Sequence, residues 1–559
     1  MAQSPVNSQL DTILVTANKL NQNRKEAPIA ISILSATTLK KENVTRIDFL
    51  LNKVPGVYMP SIGNEQHMMS IRQPISLKGL YLYLEDGMPI RTSGLFSNNA
   101  LIEINNAFTD HIEIIKGPAS SLYGAEAIGG VVNFFTKAAP TKKAVELANQ
   151  INSLGFKRVE ASIGLPTKKG GWLLNANWGG QKNGPIDYSN YSKKAFSIRH
   201  DFLLNEKWKG FQTLQYIDYY AQMTGSVDSI RFVEQNFKSL QTFTYRQLNA
   251  LRLRQNLEYN WNAYHQSVFN VLYRDNQMDQ NPTYAIASTN NPIKFKGQTN
   301  SNLFHSIVFD FQHILSIPSL HSKIIAGGSF DNTQQNLKAK YIDIIKDSIQ
   351  GKFTSFSYPS KDSLLTNYQT DIQNAAMYIN LLTNLGKYVN MNMSMRYDQF
   401  EYLFRNQIIT ATPSSNNYFN QFTPKIGFTY NKNNWGGYLN YSKGFVPPQI
   451  TEMYNAIKVP YLLPQYFYNV EAGAWYTSKQ WHAEISAYQM NGNNEIVSVR
   501  QPDGVNLNQN TGSTKHIGLE YQIKYKLNNN LTFNFMGTNA SHRYTSTILK
   551  GVDVSGNEM

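Results

Sequence analysis

Glu471 in YNVEAGAWY and Glu520 in KHIGLEYQIKYKL are acids set on the polar side of alternating stretches, and Arg72 in MMSIRQ and Lys116 in IEIIKGP are cations in apolar surroundings. Residues of these types form ion pairs and charge-assisted hydrogen bonds. The planar Arg fork grips a carboxylate with two parallel bonds, whereas Lys supplies a point charge. Covalent catalysis has no foothold: the sequence holds no G-x-S-x-G elbow, no phosphate loop and no H-E-x-x-H pair. Its scattered Asp, Glu and His residues are what any wetted surface carries. The reading is therefore a protein that is not an enzyme, with no metal site and no cofactor.

The stretches that carry the two acids have period two. In VNMNMSMRYD, Val389, Met391, Met393, Met395 and Tyr397 alternate with Asn390, Asn392, Ser394, Arg396 and Asp398. In KHIGLEYQIKYKL, Ile517, Leu519, Tyr521, Ile523, Tyr525 and Leu527 oppose His516, Glu520, Gln522, Lys524 and Lys526. In YNVEAGAWY, Tyr468, Val470, Ala472 and Ala474 oppose Asn469, Glu471 and Gly473. Each is a strand with one greasy face and one wet face. A soluble sandwich turns the greasy face to a core; a membrane barrel turns it to lipid and lines a lumen with the polar face.

Roughly 17 such strands fill residues 145–540, many of them roughly 9 to 13 residues long, the length a tilted strand needs to cross a bilayer. The GKY turn is short, and 343–374 reads as a long loop. Short turns on one side and long loops on the other predict a membrane β-barrel. Val389, Met391, Met393 and Met395 then face lipid, and Asn390, Asn392, Ser394 and Arg396 the lumen. Glu471 and Glu520 point inward. A large soluble β protein would use the same alternation, but this many long strands without linkers would require several domains.

The totals permit this. No run approaches the roughly 18 apolar residues of a membrane helix, which excludes a helical membrane protein but not a barrel. Among 559 residues there is no Cys, so disulfides and thiolate chemistry are excluded. The net charge of +14 is dispersed. It suggests an anionic ligand or lipid surface and argues against a nucleic-acid binder, which would concentrate its basic residues. MAQSPVNSQ has no apolar core, so a signal peptide has been removed or the protein is not exported.

Residues 1–140 read differently, as a mixed α+β domain. Short apolar runs (LYLYLEDGMP, HIEIIKGP, AIGGVVNFF) alternate with turn signals, and 37–51 suggests a helical patch. Asp86-Gly87 is a tight-turn dipeptide, and Gly117-Pro118 stops a strand.

Residues 112–137, IEIIKGPASSLYGAEAIGGVVNFFTK, strongly resemble the plug-domain signature of TonB-dependent outer-membrane receptors. MMSIRQ, LYLEDGMP and FLLNKVPGV resemble further plug segments in the same order. DTILVTA (Asp11, Thr12, Ile13, Leu14, Val15, Thr16 and Ala17) resembles the TonB box, although an ordinary first plug strand would read the same. NYSKGFVPPQITEMY is similar to the family's Phe-Arg-Ala-Pro strand and loop, with Val446 where Arg is usual. YNVEAGAWY and GLEYQIKY resemble later barrel strands of the family. The resemblance implies an N-terminal segment (1–20), a plug (21–140) inside the lumen and a transmembrane barrel (141–559) of about 22 strands when complete. About 17 are visible, and the chain ends in the polar VSGNEM, so truncation at the C-terminus is expected; two open edges in lipid would be prohibitively costly.

The same resemblance implies TonB-dependent active transport across the bacterial outer membrane. TonB, driven by its inner-membrane energising complex, would add a strand to the box and remodel the plug. Plug Arg residues of the family pair with barrel Glu residues, so Arg72, Lys116, Glu471 and Glu520 become a plug–barrel latch, with Arg72 and Glu471 in one pair. The expected partners are TonB, a ferric siderophore or similar small ligand and outer-membrane lipid. An anionic ferric siderophore suits the basic balance. Its candidate contacts are His67, Met68 and Met69 in one apical plug segment and Arg91, Phe96 and Asn98 in the other. Haem and cobalamin remain alternative cargoes. No His lies between Phe445 and Glu471, which argues against the usual haem mode, while His67 keeps haem open. An adhesin or structural barrel, or a barrel enzyme such as a lipase, needs no gated interior.

Overall fold

The computed structural model describes residues 14–16, 19–20, 22–360, 363–408, 414–454, 460–500, 506–549 and 552–559. Two units emerge, one inside the other.

The inner domain is built on a five-stranded sheet. Its strands are β1 (Ile31–Leu34), β2 (Tyr81–Glu85), β3 (Met88–Pro89), β4 (Thr109–Lys116) and β5 (Gly130–Thr136), in the order β1-β4-β5-β2-β3. β5 runs parallel to β2, and the other pairs are antiparallel. The near-continuous apolar runs of β2, β4 and β5 follow from burial on both faces. The Asp86-Gly87 dipeptide closes the β2–β3 hairpin with both residues at positive φ (+47° and +82°), the geometry for which such a pair is favoured. The helical patch resolves into two helices, Ala36–Glu42 and Asp48–Leu51. Ser35 caps the first and Asn43, in the left-handed region, ends it.

Around this domain runs an antiparallel meander from Ala144–Ile151 to Thr532–Ser546, nineteen strands among the described residues. Two of them, Ala287–Ser288 and Phe353–Ser357, are short additions within long connections, leaving seventeen long strands. Alternate connections differ in length. Those at 168–169, 204–207, 261–264, 318–321, 385–388, 433–434 and 478–480 are tight; those at 182–190, 223–244, 282–293, 347–363 and 447–464 are long. In a meander alternate connections share one end, so the tight turns collect at one end and the long connections at the other, as in an outer-membrane barrel. Aromatic pairs collect beside the tight turns: Trp208–Tyr259, Trp435–Tyr476 and Trp481–Tyr525, with centroids 4.4, 4.6 and 4.4 Å apart. They form the girdle that marks a membrane interface.

The alternation points polar side chains inward. On Val389–Asn406, Ser394 is 1% exposed and meets the inner domain at Ser121, whereas Tyr397 is 47% exposed on the outer face. One expectation needs correcting. Many strands exceed 13 residues, and 343–374 is not a long loop, because Ser322–Lys346 and Leu364–Asn384 run into it from both sides and leave 347–363 between them. Their outer halves (TQQNLKAK, NYQTDIQN) extend past the apolar thickness of a bilayer. There the outer face turns polar (Gln334, Lys338, Gln369, Asp371) while Tyr368 and Ile372 pack inward in an apolar cluster, so the pattern expected of a lipid-facing strand is lost although the ladder continues in water.

Candidate functional site

Arg72 follows the short strand Ser70–Ile71 and has φ +54°, a left-handed conformation that costs a residue with a side chain roughly 1–2 kcal/mol. This turn aims its guanidinium out of the inner domain into the barrel wall. Nη1 and Nη2 donate to Glu471 at 2.7 and 2.9 Å; Nε and Nη2 donate to Glu520 at 2.8 and 3.1 Å. Two forked pairs therefore share one guanidinium, and all three side chains are at most 2% exposed. Lys116, at the end of β4, places Nζ 2.7 Å from Glu520 and donates to the carbonyl of Pro55 at 3.0 Å. Tyr438 donates to Glu471 and Ser486 to Glu520, and the Arg72 guanidinium lies 4.4 Å over the Tyr488 ring.

Two glycines leave room for this node. A β-carbon at Gly56 would sit 2.5 Å from a Glu520 oxygen, and one at Gly117 2.8 Å from Arg72 Nη1. Two cations thus meet two carboxylates in a water-excluded layer. Such a group binds strongly when complete and is costly when one member is missing.

The N-terminal segment lies nearer the tight-turn end. Leu14–Val15 pairs antiparallel with Gln22–Asn23. The Thr16 amide and hydroxyl donate to the Glu113 carboxylate at 3.0 and 2.7 Å, and Tyr123 donates to the Thr16 carbonyl at 2.8 Å. Lys19 reaches Asp310 on the barrel at 3.2 Å and lies 4.2 Å over the Tyr378 ring. Burial opposes the charge on Lys19, but Asp310 and Tyr378 outweigh it and raise its pKa. Asp11, Thr12, Ile13 and Ala17 lie outside the described residues.

The six apical candidates do not form one open surface. Met69 is in the inner core and Arg91 is buried, donating to Glu103 at 2.5 and 2.8 Å. His67 is buried, its Nδ1 is 3.1 Å from the Glu65 carbonyl, and burial lowers its pKa to about 4, so it is neutral at ordinary pH. Met68, Phe96 and Asn98 are half-buried. Asn98 donates to the His67 carbonyl, and the Phe96 amide donates to Gln449 of the 447–464 connection. The same Gln449 donates at 2.8 Å to Glu126, whose carboxylate also accepts from the Gly94 amide. Burial lifts Glu126 to about 7, with those two hydrogen bonds pulling the other way.

The sequence reading missed a second set of charges in which the barrel supplies the cations. Arg252 donates to Glu85 at 3.1 Å and to the Glu103 carbonyl at 2.8 Å. Arg254 donates to the carbonyls of Glu85 and Asp86, and Arg274 to Pro89 and Thr92. The signal was present: Arg246, Arg252 and Arg254 have the same parity on Tyr245–Asn260, so they share its inward face.

Comparison with known proteins matches residues 23–131 to the TonB-dependent receptor plug domain and 147–559 to the TonB-dependent receptor-like β-barrel. Among solved structures, the ferric citrate transporter FecA in its unliganded form superposes with a TM-score of 0.77 at 17% identity, covering 96% of this chain and 81% of that one. The pyoverdine outer-membrane receptor FpvA from Pseudomonas aeruginosa gives 0.78 at 15%, over 97% and 81%. The ferric yersiniabactin uptake receptor FyuA from Yersinia pestis gives 0.74 at 14%, over 94% and 81%. At these identities the likeness is one of fold. The family models span both units of the molecule, and the chain belongs to the TonB-dependent receptor family, a bacterial outer-membrane class of plugged β-barrels.

Proposed function

We propose that the protein imports a scarce nutrient, a ferric siderophore, across the bacterial outer membrane, powered by TonB and its inner-membrane energising complex. The observation that carries this reading is the way the plug is held. It fills the lumen, is tied to the wall by the Arg72–Lys116–Glu471–Glu520 node, and keeps its N-terminal segment at the periplasmic end. In this reading the node is the latch. Leu14, Val15 and Thr16 belong to the segment on which TonB adds a strand. The similar folds belong to receptors named for ferric citrate, pyoverdine and ferric yersiniabactin, which favours an iron chelate over haem or cobalamin. Met68, Phe96 and Asn98 are the proposed outer contacts. His67 supports Asn98 through its carbonyl, while Met69 and Arg91 are buried in the inner domain.

The test is a fluorescence titration of the full-length protein in detergent against ferric siderophores, haemin and cobalamin, followed by iron-55 uptake in cells with and without TonB. Saturable quenching by one ferric siderophore but not by its iron-free form, with TonB-dependent uptake, is the expected result. A response to haemin or cobalamin alone would keep import and overturn the cargo. Silence across the panel would overturn these cargoes and point to a different nutrient or to a plug that is only structural.

A further inference from the structure

A guanidinium taken out of water is costly unless a charge of opposite sign goes with it. Arg72, Arg91, Arg199, Arg252, Arg274 and Arg396 are buried, and each lies within 3.1 Å of a carboxylate oxygen. Arg246 is only 7% exposed, yet among the described residues no carboxylate bonds to it. Its Nε and Nη2 donate to the Gln280 side-chain oxygen at 3.1 and 3.0 Å, and its Nη1 donates to the Gln66 side-chain oxygen at 2.7 Å. Neutral amides thus stand where the other buried arginines hold acids. The acids at this end are taken: Glu65 by Lys193 at 2.9 Å, and Glu103 by Arg91 at 2.5 Å. Arg246 lies at the end of the lumen with the long connections, just after 223–244. Gln66 belongs to the plug hairpin of Ser61–Gly63 and Gln66–His67, whose tip is exposed. Gln280 donates to the Tyr284 hydroxyl at 3.1 Å, and Tyr284 is 68% exposed. The guanidinium is therefore two side chains below the surface. Beside Gln280, Asn281 is buried with neither its side-chain NH2 nor its oxygen partnered.

We infer that Arg246 is an anion-recognising residue, and that an oxyanion of the imported chelate takes its guanidinium from Gln280 and Gln66. The inference rests on the import reading and adds the charge class of the cargo and the residue that selects it. A guanidinium bonded to an oxyanion makes charge-assisted hydrogen bonds about twice as strong as those between neutral groups, and a carboxylate or phosphate can take two at once. The exchange gives up bonds to two amide oxygens and returns a fork on a charged group. Gln280 keeps the Tyr284 hydroxyl as a partner when it is displaced. The Asn281 NH2 is a further donor with no other use. An uncharged chelate offers Arg246 nothing better than the amides it already holds, so the site discriminates by charge.

Two substitutions test this in the full-length protein in detergent. R246M removes the cation. Q280E keeps it and sets a carboxylate of the chain itself on the guanidinium. Binding is read by fluorescence quenching with an anionic ferric tris-catecholate, with ferric citrate and with an uncharged ferric tris-hydroxamate. The parent should bind an anionic chelate saturably. Both variants should weaken that binding about 10- to 100-fold, the scale of a hydrogen bond to a charged group, and leave any binding of the uncharged chelate as it was. Q280E should also keep or raise the thermal unfolding temperature, which separates lost recognition from lost folding. Unchanged affinity for the anionic chelate in Q280E would overturn the assignment, as would a parent that binds only the uncharged chelate or none. Import is scored apart, by iron-55 uptake in cells with and without TonB. Uptake of an anionic chelate at the parent rate in both variants would overturn the anion site and leave import standing. Anionic binding lost in both variants, with no uptake by the parent, would overturn import and leave the anion site.

Discussion

The plug meets its barrel through two sides of opposite polarity. On Gln465–Thr477 and Asn506–Lys526 the barrel supplies carboxylates and the plug supplies Arg72 and Lys116. On Tyr245–Asn260 and His265–Asn281 the barrel supplies arginines and the plug supplies carboxylates and backbone carbonyls, with a cavity of about 400 Å³ beside them. The first side is concentrated on one guanidinium, since Arg72 touches both carboxylates and Lys116 adds a second cation to Glu520. The second shares its bonds among separate arginines and contains empty space. Removing Arg72, the one group that serves both carboxylates, should therefore be severe, and removing one of the separate arginines of the second side moderate.

Charge reversal at Arg72 is the sharpest way to break the comparison. R72E would put three carboxylates together in a buried layer with only Lys116 to offset them. The cost is on the order of 5 kcal/mol, the scale of a broken buried ion pair. The expected outcome is a loosened plug: sensitivity to large antibiotics, transient conductance in planar bilayers and lost uptake. A variant as impermeable as the parent, with normal uptake, would remove the node from the role of latch.

Glu126 extends the first side toward the outer end, through the Gly94 amide, Gln449 and the Phe445 carbonyl, which accepts from the Glu126 amide. Burial raises its carboxyl to about 7 from the ordinary 4.5. Between those values the folded protein holds a proton that the unfolded chain has released. Its contribution is full below the ordinary value and is lost as pH rises through about 7, a swing on the order of 3 kcal/mol. Thermal unfolding in detergent should shift downward between about pH 5 and about pH 8, and E126Q should flatten that dependence. An unchanged profile in E126Q would assign the dependence to another group.

On the cavity side, R252M leaves Glu85 without its 3.1 Å partner, but Glu103 keeps Arg91. The expected loss is about 1–3 kcal/mol, with the lumen still closed to antibiotics. If R252M proved as leaky as R72E, the two sides would be equivalent and the contrast would fail.

How much of this was legible depends on the kind of order involved. Alternation around Asn392, Glu471 and Glu520 revealed which face of each strand turns inward, because lipid on one side and a wet plug on the other impose a strict period of two. It turned Glu471 and Glu520 inward, and Arg72 was matched to them only through the resemblance of MMSIRQ to a plug segment. It could not show that one guanidinium serves both carboxylates, since that depends on the barrel register and on the φ of +54° at Arg72. Arg91 looked available because its partner Glu103 is twelve positions away, in a 3₁₀ turn with no periodic signal. The docking of Thr16 and Lys19 was hidden for the same reason: their partners Glu113 and Asp310 are distant in sequence, and the isolated segment reads only as a short β-prone stretch.

The smallest effect tests how saturated the first side is. The Lys116 ammonium adds one contact to a Glu520 already gripped by the Arg72 fork. K116M would leave that fork and the Ser486 hydroxyl on Glu520, so the carboxylate stays paired. The expected cost is about 1 kcal/mol, that of one hydrogen bond in a network that can absorb the loss, with impermeability unchanged. K116R tests the opposite direction: its wider head must enter a space bounded by the Pro55 carbonyl and Glu520, and Gly56 has no side chain that could give way there. A gain in thermal stability from K116R would mean the layer has room for a second fork. A loss comparable to R72E from K116M would mean that Arg72 alone does not satisfy two carboxylates, and that the node holds only as a set of four.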